Sequence, residues 1–287
     1  MGTQTVSVEP ITDTDVPSVG DFLHEHLNDR LGADIWANSI VPTWSADQPN
    51  HGFLLRSGLN IVGVQLAFYS TRRFGQRSVR ICNLAAWCVD EDFRSHSLRL
   101  LRAVLRQPGY VFTDFSPSGN VVAVNKRLVF LLLDTSTAAV LNLPRPRLPG
   151  RVRIVTDPAS IDATLTGRDL EIYRDHARAA AAHHLVVTVG GASCYVVFRR
   201  VRRKRMPFFA SILYVSDTSL FARVGPSVFQ HLLLRHGMAV TLAEHRIVGG
   251  RPRLSFDVGG QRRMYRGPDV AEGDIDYLYS ELTCVPW

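Results

Sequence analysis

The stretch SVRICNLAAWCVDEDFRSHSLRLLRAVL, residues 78–105, decides the fold. Its first twelve residues alternate. Val79, Ile81, Asn83, Ala85, Trp87 and Val89 fall on one face, and Arg80, Cys82, Leu84, Ala86 and Cys88 on the other. A period of two is the spacing of a strand, and two mostly apolar faces predict a central strand covered on both sides. Asp90-Glu91-Asp92 ends it. After Phe93-Arg94, either Ser95 or Ser97 stands where it would cap a helix. Leu98, Leu101, Val104 and Leu105 then form one stripe, with Arg99, Arg102 and Arg106 opposite. Pro108-Gly109 stops that helix.

Outward from this unit the same signals recur. Residues 5–11 predict a short strand, Asp13-Thr14-Asp15 an N-cap, and Val16-Pro17 the start of a helix carrying Val19, Phe22, Leu23, His26 and Leu27 on one face. Residues 32–50 read as a second short helix and a loop, and residues 52–56 and 60–71 as a hairpin turning at Ser57-Gly58. A strand at 110–115, a turn at Ser116-Pro117-Ser118-Gly119, a helix at 120–128 and a closing strand at 130–134 follow. Residues 142–153 hold three prolines and a glycine, which places a boundary between domains 1–143 and 144–287. The second half reads as a helix at 169–183, strands at 185–189, 192–199 and 208–215, a helix at 226–236 and a strand at 238–244. Its order of elements repeats that of the first half. The expected fold is α/β with mixed (α+β) sheets, in two lobes.

Composition bounds the function. Of 287 residues, 46% are apolar and 21% charged, enough apolar surface to exclude a disordered chain. The longest apolar runs, such as residues 128–133, are strand-sized and far short of the ~20 residues of a membrane span. Residues 1–10 are neither basic nor apolar, so no secretory leader is read there and a cytoplasmic protein without a membrane partner is expected. The net charge of +7 is uneven: residues 1–143 carry −1 and residues 144–287 carry +8. That asymmetry points to an acidic or phosphate-bearing partner for the second half. Cys82, Cys88, Cys194 and Cys284 make no Cys-x-x-Cys pair, which speaks against a zinc site and for reduced thiols.

The run from Cys82 to Leu105, the strand at 110–115 and the ending Ala123-Val124-Asn125-Lys126-Arg127-Leu128-Val129-Phe130 together resemble the GNAT superfamily of CoA-dependent N-acyltransferases. The second half is similar to a diverged copy, as in the tandem Fem-type ligases and mycothiol synthase. The resemblance implies two GNAT-like lobes, with acetyl-CoA or another acyl-CoA as cofactor. It implies transfer of an acyl group from CoA, or from the thioester of an acyl carrier protein, to a small-molecule amine. Backbone groups at Trp87, Cys88 and Val89 would polarise the thioester, and Arg94, Ser95, His96, Ser97 and Leu98 would hold the pyrophosphate at a helix N-terminus. Ser97 and Arg99 stand where that family places glycines, leaving a loop that either binds phosphate or has lost it. Asn125 replaces the family's acidic Tyr, able to hydrogen-bond a thiol but not to protonate it. Val129 replaces its glycine.

Other candidates each have two readings. Asp114, between aromatics, is either a base with a raised pKa or a solvated strand-end carboxylate. Trp87 is either core or acyl-pocket lining. His96 reads as a surface or phosphate contact, and Cys88 lacks a partner base. His183 and His184 point different ways and share no metal. The run Arg199-Arg200-Val201-Arg202-Arg203-Lys204-Arg205 is either a solvated hairpin turn or a patch for CoA, a carrier protein or RNA. Two alternatives to the acyltransferase stand: a catalytically inactive binding protein on the same fold, and an aminoacyl-tRNA-dependent transferase.

Overall fold

The computed structural model describes residues 5–44, 47–144, 152–203, 206–268 and 270–287. In chain order the elements are β1 (Val6–Pro10), α1 (Val16–His26), α2 (Ala33–Ile40), β2 (Gly52–Ser57), β3 (Asn60–Phe74), β4 (Arg77–Val89), α3 (Ser97–Leu105), β5 (Tyr110–Asp114), α4 (Gly119–Arg127) and β6 (Leu131–Leu132). There follow β7 (Thr137–Leu141), β8 (Arg153–Val155), α5 (Pro158–Thr164), α6 (Gly167–His176), β9 (His183–Val189), β10 (Ala192–Arg203), β11 (Met206–Val215), α7 (Thr218–His236), β12 (Val240–Glu244), α8 (His245–Val248), β13 (Ser255–Val258), β14 (Met264–Arg266) and α9 (Glu281–Cys284). Two compact units result: Met1–Leu133 with Arg262–Ala271 and Tyr279–Val285, and Asp134–Gln261 with Glu272–Leu278 and Pro286–Trp287.

Each unit holds one seven-stranded mixed sheet, in the orders β1-β2-β3-β4-β5-β14-β6 and β8-β9-β10-β11-β12-β7-β13. The direction pattern is the same in both. The one parallel pair is β4 with β5 in the first sheet and β11 with β12 in the second, bridged by α3 and α7. All other neighbours run antiparallel. In each sheet the sixth strand comes from the opposite end of the sequence order, β14 in the first and β7 in the second. The unit change therefore falls at 133/134, and β7, inside the stretch 1–143, pairs in the second sheet.

The central strand β4 carries a bulge. Val64 pairs with Cys88 and Leu66 with Ala85, so β4 has one residue more than its partner, and Ala86 takes φ +47°. An extra residue reverses the alternation beyond it. Trp87 accordingly packs against the cluster of Cys82, Leu84, Leu101 and Val104, on the α3 face, and not with Asn83 and Ala85 as strict alternation places it. The second unit has the same device: Val197 pairs with Tyr214 and Phe198 with Ile212, leaving Leu213 as the extra residue on β11.

Several local expectations change. Neither Ser95 nor Ser97 caps α3. A 3-10 turn over Glu91–His96 precedes it, capped by Asp90, whose side chain accepts from the Asp92 N–H. The buried stripe of α3 is Leu100, Leu101 and Val104, while Leu98 is 42% exposed. The helix expected to reach residue 183 ends at His176, because β9 pairs with β10 from His183 onward and that ladder overrides the alanine-rich stretch. Pro226 lies inside α7 rather than at its start. Asp217 caps the helix through the Leu220 N–H at 2.8 Å, and Leu220, Phe221, Val224, Val228, Phe229 and Leu232 bury one face. The closing strand shrinks to β6, which pairs with β14 and not with β5.

Candidate functional site

In the first unit the pairing of β4 with β5 stops at Leu84–Asp114. β5 ends there, but β4 runs on to Val89 with β3 alone beside it. Beyond this point the two parallel strands are no longer paired, and among the described residues the β5-facing peptide groups of residues 85–89 have no ladder partner. The bulge turns the backbone within this segment. Gln65, 2% exposed, stands on β3 opposite the bulge and donates from Nε2 to the Ala85 carbonyl at 2.9 Å. Nothing in the sequence marks Gln65, since its role depends on the cross-strand register.

Trp87, Cys88 and Val89 are the last three residues of β4, beyond the end of its ladder with β5. Trp87 is half-buried, and its Nε1–H has no acceptor among the described residues. Burial pushes the Cys88 thiol up to about 11, and its Sγ lies 3.4 Å from the His26 carbonyl, so it stands as a protonated thiol.

Arg94, Ser95, His96, Ser97 and Leu98 form one continuous turn from the end of the strand into α3. Several of its groups are engaged. The Asp92 N–H donates to Asp90 Oδ1 and the Phe93 N–H to the Asp90 carbonyl. Arg94 pairs with Glu91 at 2.7 Å, both side chains well exposed. Arg99 reaches under the turn to the Val6 carbonyl at 2.8 Å. The Arg99 side chain is thereby tied to β1.

Asp114 and Asn125 come together. Asn125 Nδ2 donates to Asp114 Oδ2 at 2.8 Å, tying the end of β5 to α4. Asp114 is 7% exposed. Burial pushes its carboxyl up to about 6, against the opposing hydrogen bonds from Asn125 and the Ser116 N–H. Asn125 is fully buried, and its Oδ1 has no donor among the described residues. Its amide faces Asp114, so Asn125 acts on Asp114 directly in this geometry.

On the opposite sheet face a second buried polar group forms that no local pattern announces. Asn83 bridges the parallel strands through Nδ2 to Thr113 Oγ1 at 3.2 Å, and its Oδ1 accepts the Glu281 N–H at 3.0 Å. Ser116 Oγ donates to Glu281 Oε1 at 2.9 Å. Glu281 is wholly buried and arrives from 198 residues away in sequence.

In the second unit the arginine run lies on the β10–β11 hairpin. Arg199 is 5% exposed and donates to the Trp287 carbonyl, whereas Arg200 and Arg202 are exposed. Lys204 and Arg205 lie outside the described residues. His183 stacks on Phe198, while His184 Nδ1 meets the Tyr195 hydroxyl at 2.8 Å.

No family model matches the sequence, and no curated protein matches it. Solved structures do. A GCN5-related N-acetyltransferase from Anabaena variabilis superposes with a TM-score of 0.58 at 9% identity, over 91% of this chain and 72% of that one. A GCN5-related N-acetyltransferase from Kribbella flavida gives 0.57 at 15% identity, over 92% and 71%. Saccharomyces cerevisiae N-myristoyltransferase, solved with myristoyl-CoA bound, gives 0.52 at 11% identity, over 98% and 85%. The fold is thus that of the GNAT acyltransferases, as two lobes in tandem.

Proposed function

We propose that this chain is a GNAT-type N-acyltransferase that moves an acyl group from an acyl-CoA, or from a carrier-protein thioester, to an amine. The observation that carries the proposal is the end of the central strand in the first unit, where β4 outruns β5 and bulges at Ala86. The β5-facing peptide groups within residues 86–89, which have no ladder partner among the described residues, suit an extended pantetheine arm, which hydrogen-bonds like a strand. An N–H among Trp87, Cys88 and Val89 would hold the thioester oxygen as it gains charge. The pyrophosphate would lie at the turn of Arg94, Ser95, His96, Ser97 and Leu98, with Arg94 exchanging Glu91 for phosphate. The amine attacks the thioester carbonyl, the C–S bond breaks, the sulfur leaves as thiolate, and the amine gives up a proton. Asp114, held near a pKa of 6, has the basicity to accept that proton at neutral pH.

Calorimetric titration with acetyl-CoA and with longer acyl-CoAs, followed by a thioester-cleavage assay with amines, tests this. Arg94→Glu is expected to weaken binding about tenfold, the loss of one charge-assisted contact and its replacement by repulsion. Tight binding unchanged by Arg94→Glu would remove the phosphate assignment, and absence of binding to any acyl-CoA would remove the function.

The turn itself favours a second reading, a binding protein without turnover. Asp90 already occupies the Asp92 and Phe93 N–H groups, and Asn125 offers no acid. That reading predicts acyl-CoA or partner binding with no thioester cleavage.

A further inference from the structure

The second unit contains a cavity of about 1110 Å³ between α7, β7 and the loop that follows α8. This is just above the ~300–1,000 Å³ of small-molecule sites. Val140, Phe221, Gly225, Phe229 and Val248 supply an apolar wall. Arg223, Arg251 and Arg253 line it as well, and all three are exposed. Arg251 is held by Asp257 at 3.1 Å and by the Ser255 carbonyl at 2.8 Å. Arg223 and Arg253 have no ion pair among the described residues. Leu141 and Leu254, 51% and 75% exposed, also belong to the lining, so the cavity continues into apolar surface that water otherwise covers.

The wall breaks a local rule where it meets the cavity. Helix α7 carries Gly225-Pro226 in its interior, and both residues line the space. In a helix interior, glycine costs about 1 kcal/mol and proline about 3 kcal/mol relative to alanine. Pro226 has no N–H, so the carbonyl of Ala222, another lining residue, loses its intrahelical donor. Departures from local consistency concentrate at functional sites. Here the departure keeps side-chain bulk off the wall of a cavity that Arg223 and Arg253 also line.

We propose that this cavity binds a single-chain anionic amphiphile, a free fatty acid, with its chain along Phe221, Phe229 and Val140 and its carboxylate at Arg223 and Arg253. The assignment does not depend on the acyltransferase reading, because it uses only residues of the second unit. Charge complementarity selects the anionic head: the cavity residues carry three arginines and no carboxylate.

Calorimetric titration of the full chain with laurate tests it, with dodecanol as the uncharged chain and lauroyl-CoA as the thioester source of the same chain. Laurate is expected to bind, and dodecanol about tenfold more weakly for want of the charged contacts. Ala222→Trp fills the cavity from an exposed helix position, and the double variant Arg223→Glu/Arg253→Glu reverses its charge without touching the core. Each is expected to weaken laurate about tenfold or more while leaving the circular dichroism spectrum unchanged. Lauroyl-CoA binding is expected to be indifferent to Ala222→Trp. No laurate binding, wild-type affinity in both folded variants, or equal binding of dodecanol overturns the proposal. Loss of lauroyl-CoA binding in Ala222→Trp overturns the free-acid assignment.

Discussion

Val129 offers the sharpest test of how this sequence meets its fold. It sits just past α4 with φ +63°, a left-handed conformation in which a β-branched residue is strained. The helix end explains why the backbone is held there. The Phe130 N–H bonds the Asn125 carbonyl at 3.0 Å and the Val129 N–H bonds the Lys126 carbonyl at 3.1 Å, the two bonds of a Schellman cap. Phe130 is buried in the cluster that Val124 packs against, so the cap cannot relax without withdrawing that ring. Holding a non-glycine residue in this region costs about 2 kcal/mol. Replacing Val129 by glycine removes that strain but adds about 0.7 kcal/mol of backbone entropy to be lost on folding. The valine side chain is 72% exposed. Its remaining burial is therefore worth only about 0.4 kcal/mol. Val129→Gly should stabilise the first unit by about 1 kcal/mol. Three of the four tryptophans, Trp36, Trp44 and Trp87, lie in that unit, so urea unfolding followed by tryptophan fluorescence reports chiefly on it. Val129→Ala should gain less, since it keeps a Cβ. A glycine variant less stable than wild type, or than Val129→Ala, would refute the strain argument.

Three further outcomes follow from named contacts. Asp114 has a folded pKa near 6 against 3.8 unfolded, so the native state holds its proton longer; stability attributable to it is full below about pH 4 and falls by about 3 kcal/mol as pH rises through 6. The difference between wild type and Asp114→Asn in urea midpoint across pH 4–7.5 measures this, and a flat difference would contradict the buried carboxyl. Gly249 has φ +78°, and a Cβ there would lie 2.5 Å from the Thr218 Cβ, so Gly249→Ala should destabilise the second unit by about 2 kcal/mol or more in chemical denaturation. Tyr277→Phe removes the hydroxyl that donates to Glu244 at 2.5–2.7 Å in a buried cluster with Arg246, and should cost the second unit about 2 kcal/mol by the same assay.

The sequence by itself determined the elements whose signals are local. The alternation of residues 78–85, the hairpin at Ser57-Gly58, the stop at Pro108-Gly109 and the repeated element order all survive in the fold, because strand period, turn chemistry and helix caps act within a few residues. It also placed Val129 where a glycine would be expected, and the positive φ there follows from the same helix-end geometry. Only the tertiary structure decided the rest. β14 is three residues long and β6 two, too short for any period, and they exist because a sheet edge was open to them. The bulge that sends Trp87 to the α3 face is a property of the β3–β4 register, and one added residue reverses every later side chain. Asp114 reads from the sequence as either a base or a solvated end. Its burial and its bond from Asn125 required α4 to pack over β5, and Glu281 reached Asn83 only through contacts 198 residues apart. The cavity beside Gly225-Pro226 was hidden for the same reason: the pair reads as the start of a helix until packing of Leu220, Phe221 and Val224 carries that helix two turns further back.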